Sequence, residues 1–461
     1  MKFGGTSVGN ATAIAALAEI AREQLIVWDR LVVVVSAMSG VTDLLIQGAQ
    51  TAATGDANRY KAIAQQLREK HAAALAALVA APDEVAATHA PIERLIDEFE
   101  LLCHSVHVLG EVSPRALDAI SGLGERMSAR LVAAAIRAHG TAAEAVDASE
   151  FVITTAHFGS AVPLQPQTRD RTQARLTPLL ARGVVPVVTG FIGATENGAS
   201  TTLGRGGSDY SGAIVGAALD ADEVAIYTDV DGVMTTDPRL TVDARVIPVI
   251  SYAEMGELAY FGAKVLHPRT IRPVVERQIP LRIRNTFNPT HSGTLVIDQA
   301  EPNGRAIKAV TCIKGMSMIT VEGRGMIGVP GVAARTFGAV ASVGANVLMI
   351  SQASSEQSIC FVVPTTSAAA VAGALEEALA NELARRDVDR IAGRASVVIV
   401  TAVGAGMRET PGVASQVFGA LAEQKINVIA IAQGSSECSI SVVIAGAEAD
   451  AAVRAIHALT V

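Results

Sequence analysis

Thr202-Leu203-Gly204-Arg205-Gly206-Gly207-Ser208-Asp209-Tyr210 holds three glycines, an arginine and an aspartate within six residues. A helical stretch over 212–219 follows it, and then a β-branched run, Glu223-Val224-Ala225-Ile226-Tyr227. Upstream lie two further strand patterns, Val184-Val185-Pro186-Val187-Val188 and Leu31-Val32-Val33-Val34-Val35, with helical stretches such as 11–24 between strands. Strand, turn, helix and strand in alternation predict a mostly parallel central sheet covered on both faces, a three-layer α/β sandwich. In such sheets ligands bind beyond the carboxyl ends of the strands. The glycine loop comes just before a helix, and its turn can place N–H groups on a transferring phosphoryl group.

At 461 residues the chain is too long for one ordinary domain. Half of it is apolar, aromatics are 3 % and charged residues 18 %, which supplies large aliphatic cores. A net charge of −8 without any basic block argues against a nucleic-acid binder. The four cysteines, Cys103, Cys312, Cys360 and Cys438, show no CxxC pairing and read as buried free thiols in a reducing cytoplasm. The chain opens on Met1-Lys2-Phe3-Gly4 with no leader pattern, and its apolar runs are strand-sized. The expectation is a soluble cytoplasmic protein with no membrane or nucleic-acid partner.

Residues 55–120 lack strand patterns. Helices over 57–81 and 91–109 predict a helical arm on the sheet. A hinge is expected over 288–305, where Pro289, Gly293, Pro302, Asn303 and Gly304 cluster. Beyond it the chain repeats itself. Gly323-Arg324-Gly325-Met326 returns as Gly404-Ala405-Gly406-Met407, and Gln352, Ser354, Ser355 and Glu356 return as Gln433, Ser435, Ser436 and Glu437. Pro330, Phe337 and Asn346 return as Pro411, Phe418 and Asn427, all at one offset of 81. A duplicated small module follows a larger one, which suggests a sensor behind a catalytic part. Each copy reads strand (318–321; 397–403), helix (332–343; 413–424), strand (347–351; 428–432), strand (358–363; 439–444), helix (368–383; 449–459). That βαββα order is most of a ferredoxin-like α+β unit. The second copy ends without room for a closing strand, and 307–313 is a strand without a place. Strands are therefore expected to be shared between the two copies.

Several segments carry chemistry. Lys2-Phe3-Gly4-Gly5-Thr6-Ser7 places a fixed positive charge beside glycines whose N–H groups can approach a phosphate, without Walker spacing. The same residues could form an ordinary turn. Ser36-Ala37-Met38-Ser39-Gly40-Val41-Thr42 follows a strand, as a ligand loop or as a helix start capped by Ser39 or Thr42. In the glycine loop, Arg205 can pair bidentately with a carboxylate or phosphate, and Asp209 can order a cation or the lysines. A loop merely capped by Ser208 would leave Arg205 unexplained. Tyr227-Thr228-Asp229-Val230-Asp231-Gly232 and Asp237-Pro238-Arg239 suit a nucleotide edge, with Thr228 and Asp229 toward base or ribose and Arg239 toward phosphate. A calcium loop is the alternative, but the EF-hand spacing is missing. Phe261-Gly262-Ala263-Lys264-Val265 adds a second lysine. Gly124-Glu125-Arg126-Met127-Ser128 opens a helix; Glu125 would either hold an ammonium opposite Arg205 or sit exposed at the helix start, where the dipole favours it.

Taken in order, Lys2–Ser7, Gly124–Ser128, Gly204–Asp209, Thr228–Arg239 and Gly262–Pro268 resemble the aspartokinases of the amino acid kinase family, and the paired repeats resemble that family's ACT regulatory domains. The resemblance covers essentially the whole chain. It implies a catalytic domain over 1–295 with the arm at about 55–120, a first ACT domain over 306–385 and a second over 395–461. It implies an aspartate kinase that uses ATP and Mg²⁺ to make 4-phospho-L-aspartate, the first step toward lysine, threonine and methionine. By this resemblance Lys2, Asp209 and Lys264 are catalytic. The nucleotide falls to Lys2, Gly4, Gly5, Ser36, Thr228, Asp229, Arg239, Lys264 and Val265. Aspartate falls to Thr42, Glu125, Arg205 and Ser208. Mg²⁺ is expected on ATP oxygens, without protein ligands of its own.

Gln-x-Ser-Ser-Glu in both repeats is similar to the threonine-sensitive group, including enzymes fused to homoserine dehydrogenase. It implies effector contacts at Gln352, Gln433, Asn346 and Asn427, with L-threonine as effector and L-lysine as the other choice. No dinucleotide fingerprint follows the repeats, so the expectation is a monofunctional kinase, a homodimer or larger through its ACT domains. The rivals are another amino acid kinase, acting on glutamate, acetylglutamate or a nucleotide, and a catalytically inactive amino-acid-binding regulator. The intact Lys2, Arg205, Asp209 and Lys264 speak against the last.

Overall fold

The computed structural model describes residues 1–262, 266, 268–299, 306–352, 357–434 and 436–460. It divides into two compact units, one of Met1–Val233, Pro248–Ile250 and Leu266–Asp298, the other of Met234–Ile247, Ser251–Val265 and Gln299–Val461.

The first unit is built on strands β1 (Lys2–Phe3), β2 (Val33–Val35), β3 (Ala143–Val146), β4 (Ile153–Thr154), β5 (Val185–Thr189), β6 (Ile192–Thr195), β7 (Ser200–Thr202), β8 (Val224–Thr228), β9 (Val249–Ser251), β10 (Leu281–Asn285) and β11 (Thr294–Ile297). Eight of them form one sheet in the order β3-β5-β2-β1-β8-β10-β11-β9. The pairs from β3 through β10 are parallel, and β10 turns back antiparallel onto β11. The valine runs form these strands because both faces are covered: β2 and β5 are buried throughout. A small second sheet has the order β4-β6-β7.

Helices α1 (Ala11–Val27), α2 (Val41–Ala53), α3 (Ala57–Leu78), α4 (Pro82–Leu109), α5 (Pro114–Ser121), α6 (Leu123–Ala138), α7 (Gln165–Ala181), α8 (Gly207–Ala218), α9 (Tyr252–Tyr260) and α10 (Pro268–Val275) complete this part of the chain. The arm differs from expectation in one respect. Its second helix starts at Pro82, not Pro91, and runs through Pro91. Pro82 suits a first turn, where no N–H is needed. Thr88, Ile92, Leu95, Ile96, Phe99, Cys103 and Val106 form one buried stripe that spans Pro91 and outweighs its missing hydrogen bond. Among the described residues no helix is long and apolar enough to cross a membrane.

The second unit carries strands β12 (Ala309–Glu322), β13 (Met349–Gln352), β14 (Ser358–Pro364), β15 (Arg390–Val403), β16 (Ala430–Gln433) and β17 (Ser439–Ala445), with helices α11 (Val332–Ser342), α12 (Thr365–Ala378), α13 (Ala380–Arg385), α14 (Val413–Glu423) and α15 (Ala449–His457). One antiparallel sheet runs β13-β14-β12-β15-β17-β16. Strands β12 and β15 are far longer than expected and each serves both repeats. The first half of β12 pairs with Ile399–Val403 of β15, and its second half pairs with β14. A register shift between Ile313 and Met316 breaks the alternation, which is why 307–313 read as a separate strand. Two stretches from within 1–295 also pack here. In one of them Ser251 and Glu254 form a capping box for α9, and the buried Glu254 carboxylate accepts the Lys308 ammonium at 3.1 Å and the Ala405 N–H at 2.6 Å.

Candidate active site

In the first unit a cleft of about 770 Å³ lies beyond the carboxyl ends of β1, β2 and β8. Its lining includes Lys2, Gly5, Ser36, Glu125, Arg205 and Asp209. These residues are up to 207 positions apart in sequence, yet each leaves an element that ends at this edge of the sheet.

Lys2 stands on β1, between β2 and β8, and is only 6 % exposed. Its stem lies against Gly212 of α8, where a Cβ would come within 3.0 Å of the Lys2 Cβ. Its ammonium pairs at 2.6 Å with Asp209 in the first turn of α8. Burying a lone ammonium here would be costly, and the carboxylate offsets that cost. Both Gly4 and Gly5 line the cleft; Gly4 commits its N–H to the Tyr227 carbonyl at 3.2 Å, whereas the Gly5 N–H has no backbone acceptor among the described residues.

Glu125 is 3 % exposed, which removes the reading of it as an exposed helix-start residue. Its Oε1 accepts the Ala37 N–H at 3.0 Å, while Oε2 has no hydrogen-bond partner among the described residues. Burial pushes the carboxyl up to about 8, against the lowering effects of the Ala37 N–H and of Lys2. A buried acid with one unpaired oxygen at a cleft is suited to a cationic ligand.

Arg205 lines the same cleft. It is exposed and forms no ion pair among the described residues. The flanking Gly204 and Gly206 adopt φ of +76° and +71°, conformations that side-chain-bearing residues rarely take. Gly206 also ends the loop as the N-cap of α8, so Gly207, Ser208 and Asp209 form a helix start directed at the cleft.

Ser36, Thr42 and Thr228 also line the cleft. The capping alternative for Ser39 and Thr42 does not hold: Gly40, at φ +77°, precedes α2 without any side-chain cap, and Ser39 Oγ donates instead to the Gly5 carbonyl at 3.0 Å. Asp229 accepts the Thr228 hydroxyl at 3.1 Å and is not part of the lining. Arg239 belongs to the second unit, exposed and closed on Asp237 at 2.6 Å. Lys264 and Val265 lie outside the described residues.

One residue of the cleft and one behind it carry no clear mark in the sequence. Phe191 lines the cleft with φ +66°, held by its N–H to Ser211 Oγ at 2.9 Å. The Gly-Phe-Ile-Gly run after a buried strand was the available signal. Asp118, buried on α5, accepts hydrogen bonds from the stretch leading into the glycine loop. Nothing in its sequence neighbourhood marked it.

In the second unit Gln433 lines a separate cavity of about 380 Å³ with Thr410, Pro411, Glu437 and Ile440. Gln352 occupies the equivalent end of β13, exposed; the residues after it, 353–356, lie outside the described ones. Asn346 and Asn427 are exposed, on the loops ahead of β13 and β16, and Asn427 is not in the lining of that cavity.

Residues 1–285 match the Amino acid kinase family, and residues 319–379 and 400–459 match the ACT domain. The chain belongs to the amino acid kinase family, in the aspartokinase group that carries ACT domains. It is 38% identical to the chloroplastic bifunctional aspartokinase/homoserine dehydrogenase 1 of Zea mays over 99% of its own length. It spans 50% of that protein, and about half the length of the other bifunctional plant relatives it matches. It is 32% identical to the lysine-sensitive aspartokinase 3 of Escherichia coli, covering 99% of this chain and 97% of that one. The crystal structure of E. coli aspartokinase III in complex with aspartate and ADP (R-state) superposes with a TM-score of 0.80 at 30% identity, covering 99% and 98% of the two chains.

Proposed function

We propose that this chain is an aspartate kinase that transfers the γ-phosphoryl group of ATP to the side-chain carboxylate of L-aspartate, giving 4-phospho-L-aspartate and ADP. The observation that carries this reading is that a buried Glu125, with one oxygen unpartnered among the described residues, and an Arg205 without an ion pair among them line one cleft together with Lys2. A carboxylate and a guanidinium facing one space suit a free amino acid. Glu125 takes the ammonium and Arg205 the α-carboxylate, with Thr42 and Ser208 beside them. The complex of the E. coli relative with aspartate and ADP supports the same substrates here.

The attacking group is already ionised, since a free aspartate side chain has a pKa of about 3.9. An oxygen of that carboxylate bonds to the γ-phosphorus as the bond to the β–γ bridging oxygen breaks, and ADP carries away the electron pair. No general base is required. The obstacle is the approach of an anion to a polyanion, and Lys2, the Gly5 N–H and the start of α8 meet it by charge stabilisation and positioning. Lys264 joins them by the family resemblance, as do Asp229, Arg239 and Val265 for the nucleotide. Among the described residues no three His, Cys, Asp or Glu side chains converge to hold an ion. Mg²⁺ would ride on the phosphate oxygens with Asp209 nearby, and when bound it supplies neutralisation of the phosphate charge.

The duplicated module provides feedback control. Gln433, and Gln352 in the other copy, bind an amino-acid effector, threonine by the Gln-x-Ser-Ser-Glu motif; the E. coli relative is lysine-sensitive, so lysine is the second choice. Inhibition needs a difference in effector affinity between two states. The edge strands β13 and β16 expose Ile350 and Ile431 at equivalent repeat positions, which supports a homodimer that covers these edges.

The test is ADP release from ATP, Mg²⁺ and aspartate, with threonine and lysine added separately. Aspartate-dependent release suppressed by threonine supports the whole reading. Suppression by lysine alone replaces the effector. Absence of aspartate-dependent release turns the assignment to another acceptor or to a regulator.

A further inference from the structure

Asp118 lies on α5, 3 % exposed and outside the cleft lining, and none of the chemistry above uses it. Its carboxylate nevertheless receives hydrogen bonds from three donors, one on a loop and two at the end of a strand. The Gly159 N–H lies 3.0 and 2.9 Å from its two oxygens, the Thr202 N–H donates to Oδ2 at 2.9 Å, and the Thr202 hydroxyl donates to Oδ1 at 2.7 Å. Thr202 is the last residue of β7, and Arg205 follows three residues later.

The loop is seated on the same elements. Gly204 packs so closely on the other loop that a Cβ would come within 3.0 Å of the Gly159 carbonyl oxygen. The Ala161 N–H donates to the Thr202 carbonyl at 2.9 Å, and the Leu203 N–H to the Phe191 carbonyl at 2.8 Å. One buried carboxylate therefore fixes both the strand end that launches the glycine loop and the floor beneath it. Glu125 follows Asp118 by seven residues, on α6, which begins directly after α5.

We infer that Asp118 is a positioning residue for Arg205: through Thr202 and Gly159 it sets the span between the guanidinium and the Glu125 carboxylate, and so the length of amino acid the cleft accepts. This inference rests on the aspartate kinase reading. A hydrogen-bonded anion is well suited to the task, because N–H and O–H donors to a charged acceptor make stronger bonds than neutral pairs. A neutral amide at this position would turn an NH₂ group toward N–H donors.

The experiment compares Asp118→Asn, Thr202→Val, Arg205→Ala and the Asp118→Asn/Arg205→Ala double variant with wild type in the full chain. Aspartate and ATP KM, kcat and the aspartate-over-glutamate ratio of kcat/KM are measured, with melting temperature alongside. The expected result for Asp118→Asn is an aspartate KM raised at least tenfold, an ATP KM within twofold, and a narrowed preference for aspartate over glutamate. In the Arg205→Ala background the same substitution should change the aspartate KM less than twofold. Thr202→Val, which keeps both backbone bonds, should raise the aspartate KM about threefold, and it carries the test if Asp118→Asn does not fold. A purely structural role would lower the melting temperature and kcat with both KM values unmoved, and would add in full to Arg205→Ala; that result overturns the inference. An active wild type with these variants unaltered overturns it alone, whereas a wild type without aspartate-dependent turnover overturns it together with the reading it rests on.

Discussion

The Lys2 ammonium sits 2.6 Å from Oδ1 of Asp209, joining the first strand of the sheet to the first turn of α8. The pair fixes a positive charge beside the glycine loop. It also keeps Asp209 from repelling a phosphate.

Lys2→Ala should lower turnover by at least a hundredfold, on the order of 3 kcal/mol of barrier, because on the proposed mechanism it removes a charge that stabilises the transferring group. The melting temperature should move little, since Asp209 retains access to water. Asp209→Asn should lower turnover less. Initial rates at saturating substrates decide the matter, and near-normal turnover in Lys2→Ala would take this residue out of the mechanism.

Glu125 should make the ligand-free protein less stable as pH rises. Its folded value of about 8 lies above its ordinary 4.5, so between those values the unfolded chain has lost a proton that the folded chain keeps. The contribution is fully present below pH 4.5 and is lost as pH climbs through about 8, at about 1.4 kcal/mol per unit and several kcal/mol in all. Glu125→Gln should therefore be more stable than wild type near pH 8, with a flatter stability profile, while its aspartate KM rises at least tenfold. Urea midpoints at pH 6 and 8 test this; equal slopes for both proteins would refute it. Aspartate binding at pH 7 should also release close to one proton in wild type and none in the variant, read by calorimetry in buffers of different ionisation heat.

Arg205→Ala should raise the aspartate KM more than tenfold and the ATP KM less than twofold, since the guanidinium has no other partner among the described residues. Equal shifts in both constants would assign it to the nucleotide.

Lys308→Met should destabilise the second unit by about 3–5 kcal/mol, because Glu254 would keep a buried charge without its counter-ion. Adding Glu254→Gln should recover part of the loss. Chemical denaturation of the three variants measures it, and a cost below 1 kcal/mol for Lys308→Met would show that the pair is already neutral.

Gln433→Ala should weaken the response to threonine at least tenfold while leaving uninhibited turnover unchanged, since it lines the cavity of the second repeat. An unaltered inhibition curve would move the effector elsewhere.

Much of this architecture was legible from residue order. The valine runs at 33–35 and 185–188 could only be buried strands, and the invariant offset between the repeats announced two related modules before any contact was known. The failures have physical causes. Pro91 resembles a helix start locally, because only the buried stripe from Thr88 to Val106 carries the helix through it. Strands β12 and β15 were cut short because Lys314, Gly315 and the polar run before Val397 interrupt the alternation that the shared sheet tolerates.

The candidate site divides in the same way. Lys2, Arg205 and Asp209 declared themselves because charge beside glycine at a strand end has few other uses. Glu125 was ambiguous, since a carboxylate at a helix start is ordinary until burial removes the water that would solvate it. Asp118 and Phe191 carried no local mark at all: one acts through donors 41 and 84 residues away, the other through a backbone angle.

The sequence by itself determined the element types, the parallel sheet, the duplicated module and the residue chemistry available, because these follow from short-range periodicity and composition. Only the tertiary structure decided which carboxylate is buried and half-satisfied, which N–H groups are already committed, and which strands serve both repeats. Those depend on the dielectric surroundings and on hydrogen-bond partners brought together over long stretches of chain, and no local pattern encodes them.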